Sequence, residues 1–226
     1  MNKKICLATA VTGLFFLSSC LTSLQRLVDY TTVTTDNRIT GNWQYEDLQV
    51  KIESIPGSRF FQDIMASISP KEEKKSLYDS KEDSLLYSRS YVVDFNKNGY
   101  HYYMVCSLIR LGNDIFADIE PVEVKPLNAP TSKDVDDLFQ GGAYISSHSF
   151  AKVVFRENET EFRFMNSGFI RDQLKNGRVA IKYEKDDLFQ TSLITSSPKD
   201  LRQFLSKYGK DERLYSKENT VTLKKI

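Results

Sequence analysis

From Ile39 onward the chain alternates apolar and polar residues with the two-residue period of strands. In WQYEDLQVKIESI, residues 43–55, Leu48, Val50 and Ile52 fall on one side and Gln49, Lys51 and Glu53 on the other. Pro56-Gly57 stops the run. The clearest stretch follows. Strands at 84–95, 100–111 and 114–124, joined by the turn signals Asn98-Gly99 and Gly112-Asn113, predict an antiparallel meander. On 100–111, Tyr102, Met104, Cys106 and Leu108 share one face and His101, Tyr103, Val105 and Ile109 the other. Both faces are apolar enough for the strand to be covered on both sides. A hairpin over 147–157 and 160–165 turns at Asn158-Glu159, and further strands fall at 179–184, 188–195 and 219–226.

The period changes to that of a helix in two places. Phe169, Ile170 and Leu174 recur at helical spacing within 167–176. The stronger helix runs from Pro198 to Tyr208, with Ser197 as N-cap and Pro198 at the first helical position. Its stripe is Leu201, Phe204, Leu205 and Tyr208, and Gly209 is the expected stop. Residues 129–139 read as a capped helical turn or a loop, and 58–68 as a short helix or a lid. The charge run KEEKKSLYDSKEDS, residues 71–84, reads as a solvated loop. The pattern thus predicts a mainly β fold of about eight or nine antiparallel strands, with a C-terminal helix before the last one. A meander of this length must hide its edges, and closure into a barrel removes them. About eight strands leave room for one small ligand.

Composition narrows the function classes. With 226 residues, 40% apolar and 27% charged, the chain is long enough and apolar enough to bury a core. Lys plus Arg is 31 and Asp plus Glu is 30, so no basic excess supports a nucleic-acid surface. The cysteines are Cys6, Cys20 and Cys106. Only Cys106 lies in the body, so no disulfide forms there, and its apolar neighbours predict a buried, inert thiol. His101 and His148 with one cysteine do not make a structural zinc set, and no metal or cofactor is expected.

The N-terminus MNKKICLATAVTGLFFLSSC carries Lys3 and Lys4, an apolar run from Ile5 to Leu17, then Leu17-Ser18-Ser19-Cys20. The run is too short for a comfortable membrane span and fits a secretory signal. Its ending resembles the bacterial lipoprotein lipobox. The resemblance implies cleavage of residues 1–19 and a diacylglycerol on the Cys20 sulfur, with the acyl chains as a membrane anchor. Removing residues 1–19 removes Lys3, Lys4 and no acid, leaving 29 bases against 30 acids. Residues 20–38 then read as the lipidated N-terminus and a tether, with 39–226 as the folded domain. Leu24, Leu27 and Val28 make at most one short apolar turn of that tether.

Within ITGNWQYE, residues 39–46, stands the one tryptophan, Trp43, two positions after Gly41. Gly-x-Trp at the first strand, a meander and a late helix together resemble the lipocalins and their calycin relatives. The resemblance implies that Gly41 lets the chain turn in tightly and that Trp43 plugs the closed end of the barrel. Leu111-Gly112, IFADIEP (115–121), His148-Ser149-Phe150 and LITSSPKDLRQFLSKY (193–208) resemble a family of bacterial lipocalin-like proteins of no known activity, over roughly Thr40 to Tyr215. The Thr-Asp-Tyr motif of typical lipocalins is absent, and Arg213 is a candidate by position alone for the arginine that covers the tryptophan there.

No catalytic motif appears among the nucleophile elbows, phosphate loops or zinc helices. His148 beside Ser147 and Ser149 is no triad, because strand neighbours point to opposite faces. It reads instead as a hydrogen-bonded structural histidine. Asp118 and Glu120 share a strand face as a conceivable acid–base pair, but read first as solvated or paired with a lysine opposite. Tyr100, Tyr102, Tyr103 and Met104 are the candidate lining of a ligand pocket, and serve equally well as barrel core. The leading expectation is a lipid-anchored cell-envelope barrel that binds a small apolar molecule or is filled by side chains, on the outer membrane where the cell has one. The second is an envelope protein that docks a protein partner. An enzyme comes third.

Overall fold

The computed structural model describes residues 22–58, 80–97, 100–126, 147–179, 181–186 and 191–226. In chain order these form β1 (Thr22–Ser23), β2 (Val33–Thr34), a 3-10 turn (Asn37–Ile39), β3 (Gly41–Tyr45), β4 (Leu48–Ser54), α1 (Lys81–Tyr87), β5 (Tyr91–Lys97) and β6 (Tyr100–Leu111). There follow β7 (Asp114–Pro126), β8 (His148–Phe155), β9 (Glu159–Met165), α2 (Ser167–Lys175), β10 (Tyr183–Asp186), β11 (Thr191–Ile194), α3 (Pro198–Tyr208) and β12 (Tyr215–Lys225). The expected signal and lipobox, the 59–79 segment, and the turns expected at Asn98-Gly99 and at 129–139 lie outside the described residues.

Strands β3 to β9 pair each with the next, and β12 joins β9 to β3. The result is a closed antiparallel barrel of eight strands with up-and-down order, and none of the eight keeps a free edge along the ring. Closure is long-range: Lys225 stands opposite Trp43, and Thr220 to Lys224 stand opposite Arg163 to Glu159. The period-two pattern becomes an inside and an outside. Trp43, Val50, Ile52, Tyr91, Cys106 and Leu108 point inward among other apolar residues of the barrel core.

A second core lies outside the barrel. The outward faces of β6, β7 and β8 supply Ile109, Phe116 and Phe150, which pack against Leu27 and Val28 and against the buried faces of α2 and α3. The middle strands are therefore covered on both sides, which is why neither face reads as polar. Helix α3 starts on Ser197, whose Oγ accepts from the Asp200 N–H, and buries Leu201, Phe204 and Leu205. Gly209 ends it for a reason of space. Its φ is −62°, open to any residue, but a Cβ there would stand 2.7 Å from the Phe116 ring and closer still to the Leu205 carbonyl oxygen.

Several boundaries differ from the sequence expectation. The run 43–55 is two strands that turn at Glu46-Asp47, with Glu46 at φ 52°. Residues 81–87, expected as the end of the charged loop up to 84 and as strand beyond it, form α1, because Ser80 caps the Asp83 N–H and Glu82 and Asp83 occupy the first turn. The strand proper begins at Tyr91, and the last strand begins at Tyr215 rather than 219.

The largest correction is the tether. Residues 22–38 belong to the body. Thr22 and Ser23 pair with β8 on one side and β11 on the other, and β10 extends that short flap. Val33 and Thr34 continue the edge of β6 beyond β5, opposite Ile109 and Leu108. Leu27 is 0% exposed. The apolar trio in a Thr-rich stretch is not enough for a helix, but it is enough to cover an apolar strand face. No helix among the described residues is long and apolar enough to cross a membrane.

Candidate functional site

The barrel has two unlike ends. At one, the 3-10 turn enters β3 and seals the interior. Ile39 is 0% exposed and Trp43 3%, and the indole Nε1–H donates to the Ile39 carbonyl at 3.0 Å. Gly41 makes the entry at φ +138°, a conformation that L side chains rarely adopt. The space beside it is ordinary, since a Cβ would meet only the Trp43 Nε1 at 3.8 Å. Arg38 lies over the Phe155 ring at 4.4 Å and is held by Asp36 at 2.6 Å. That hydrogen bond, before any other influence, keeps the Asp36 carboxyl below the usual range. Arg213 is elsewhere. It pairs with Asp211 and lies over Phe169, so the position proposed for it is not the one it holds.

The other end is the mouth, where the β3–β4 hairpin, the tops of β5 and β6 and the start of β8 meet. Inward residues here stay half-buried: Tyr45, Leu48, Phe95, Tyr102, Met104 and Phe164. Phe95 and Tyr102 stack across adjacent strands at 5.1 Å. The four candidate lining residues divide. Tyr102 and Met104 face inward. Tyr100 stands at the rim, 44% exposed. Tyr103 faces outward, parallel to His101 at 5.9 Å and against Val92 and Val105. Alternation forbids one shared pocket for neighbours 102 and 103. Phe95, on the adjacent strand, is with Tyr45 and Phe164 among the mouth residues that sequence reasoning left unnamed. Cys106 lies deeper, 0% exposed, and burial pushes its thiol well above the ordinary range.

Outside the barrel, on β6 to β8, sits a buried polar cluster. His148 Nδ1 and Asp118 Oδ1 are 2.8 Å apart, both 4% exposed. The other oxygen of Asp118 accepts from the backbone N–H groups of Leu27 at 2.6 Å and Val28 at 3.2 Å. Asp118 is thus neither solvated nor opposite a lysine. Glu120 lies 3.7 Å from Arg26, which also holds Asp83 at 3.1 Å and donates to the Tyr87 hydroxyl at 2.6 Å. Burial, with Glu120 second, pushes the Tyr87 hydroxyl up to about 12. Ser90 and Ser107 share a hydrogen bond of 2.6 Å at the same level. The cavity between Arg26, Tyr87, Ser107, Asp118, Glu120 and His148 has a volume of ≈ 10 Å³, enough for one water and no larger group. The cluster therefore fastens the N-terminal segment to the barrel wall. Sequence reasoning had both Asp118 and His148 but not their meeting, because the partner strand of each was unknown.

A wider cleft of ≈ 520 Å³ lies on the outer side of the sealed end, between Asn37, Asn42, Lys51, Glu53, Ser88 and Arg89. Most of these side chains are exposed, and Lys51 and Glu53 already pair at 2.7 Å. Its two buried polar lining residues, Ser90 and Tyr91, already bond Ser107 and the Asp36 carbonyl, so the mouth is the better candidate. Comparison of the chain with protein-family models, with curated proteins and with solved structures gives no match in any of the three.

Proposed function

We propose that this chain is a lipid-anchored cell-envelope protein of lipocalin-like kind, whose barrel takes one small apolar or amphiphilic molecule at its mouth. One observation carries the ligand reading. The interior is sealed and fully buried around Trp43, while the inward aromatics of β5 and β6 remain half-buried at the opposite end. Half-buried aromatic rings suit an apolar guest, because covering them removes apolar area from water. The anchor reading rests on Leu17-Ser18-Ser19-Cys20 after a short apolar run.

A titration of the protein without its acyl chains tests the first half. Long-chain fatty acids and a polarity-sensitive apolar dye are expected to bind one per chain by native mass spectrometry, and Tyr102→Ala to weaken binding several-fold. Absence of binding by both probes would overturn the ligand reading. The second reading, a side-chain-filled barrel that docks an envelope protein, draws support from the Phe95–Tyr102 stack, which itself occupies the mouth. Specific capture of one envelope protein, with no ligand bound, would favour it.

A further inference from the structure

We infer that the mouth end of the barrel is held directly against the membrane surface, with the sealed end pointing away. The inference rests on the acylation of Cys20 proposed above and deepens it by fixing the orientation. Thr22, the first described residue, stands opposite Ser149 and Leu193. Ser23 is 0% exposed, and the Leu24 N–H donates to the Ile194 carbonyl at 3.0 Å. Asp118 then holds the Leu27 and Val28 N–H groups, and Arg202 holds the Leu27 carbonyl at 3.1 Å and Asp29 at 2.9 Å. The segment after Thr22 cannot serve as a spacer while these bonds stand.

Only Leu21 separates Thr22 from Cys20, so the link is two Cα–Cα steps and spans at most about 7 Å. Ser149 is the second residue of β8, at the mouth end, and Phe155 closes the strand at the sealed end. An acyl anchor at Cys20 thus meets the body beside the mouth. The sealed end lies most of a strand further, about 20 Å along β8. On the neighbouring strand, Ser149 pairs with Ile119, and β7 continues past it to a bulge at Val122 and on to Pro126. Val122 is therefore about 10 Å beyond the anchor's row in the strand direction, a little more than the link can span, so its side chain reaches the headgroup layer when the anchor is inserted. Val122 is 42% exposed and the rim residue Tyr100 44%. An apolar side chain and an amphipathic ring suit the headgroup region of a bilayer. The occupant of this surface is the lipid headgroup layer of the membrane that holds the anchor, and a guest of the barrel enters from that layer.

The test uses the acylated protein reconstituted in phosphatidylethanolamine and phosphatidylglycerol vesicles that carry a nitroxide on the headgroup. A fluorophore is attached at Val122→Cys or, separately, at Asn158→Cys in the exposed β8–β9 hairpin. Cys106 is buried and does not react. Quenching is expected to be several-fold greater at position 122 than at 158. A Gly/Ser spacer of about ten residues inserted before Thr22 is expected to remove most of that difference. Equal quenching, stronger quenching at 158, or a pattern unchanged by the spacer would overturn the inference. Failure of the protein to float with vesicles, with Cys20 unmodified by mass spectrometry, would overturn the anchor itself, which separates the two failures.

Discussion

The sealed end and the mouth of the barrel are made of the same material and packed differently. Both present large apolar side chains at alternate positions of β3 to β6. At the sealed end, Ile39 comes in from a 3-10 turn outside the eight strands, and the indole of Trp43 spends its one polar group on that turn's carbonyl. At the mouth, Tyr45, Phe95, Tyr102 and Met104 belong to the strands alone, and they stay half-buried. A barrel is closed at an end by what the connecting chain puts into it; the strand pattern by itself leaves both ends alike.

Truncating the plug should break this contrast most strongly. Trp43→Ala is expected to cost about 3–5 kcal/mol in denaturant unfolding, as for a buried core aromatic. Next comes the fastening on the outer wall. Asp118→Ala leaves two backbone N–H groups and His148 without their acceptor in a buried place. It should cost about 3 kcal/mol. Amide exchange should rise at Leu27 and Val28 before it rises in β5, because the N-terminal segment is released first. Gly41→Ala should cost about 1–3 kcal/mol from backbone conformation alone, with no larger penalty for bulkier side chains than their own packing brings. A cost that grew steeply with side-chain size would mean that space, not φ, selects glycine there. At the mouth, Tyr102→Ala is expected to cost only about 1 kcal/mol, since the ring is half-buried. A loss as large as that of Trp43→Ala would show that the mouth is core.

The smallest effect is electrostatic. Asp36, held by Arg38, and Glu161 have carboxyls below their usual range. Burial of Glu161 works the other way and is outweighed by Arg163 and Arg156 together. Carboxyls depressed in the folded state contribute stability that is present above the ordinary carboxylate range and is lost as pH falls through their folded values. Melting temperature should therefore be flat on their account from pH 8 to 5 and decline below about pH 4. Asp36→Asn should flatten that decline.

Much of the barrel was legible because its rule is local. Leu48, Val50 and Ile52 face in together, and the turn signals between 84 and 124 separate three strands that do pair in order. What was not legible depended on distance. Ser80 and Asp83 mark a helix start at short range, yet the apolar Leu85, Leu86 and Tyr87 blend into the following strand pattern. Residues 22–38 look like a tether because their apolar residues are few. Leu27 and Val28 acquire their role only from the bare outer faces of Phe116 and Phe150 and from an aspartate 90 positions away. Of the candidate pocket, Tyr102 and Met104 share the inward face, while Tyr103 faces outward, because neighbours on a strand point to opposite faces.

Barrel closure has a consequence in time. β3 finds one partner at once in β4, but its other partner, β12, emerges from synthesis roughly 180 positions after Trp43. Until then β3 and β9 both carry open edges, and the indole of Trp43 covers an unfinished interior. A chain that crosses a membrane from its N-terminus onward would spend that interval as an incomplete sheet on the far side. Its yield would then depend on how fast the last strand arrives, or on a chaperone that shields the two edges meanwhile.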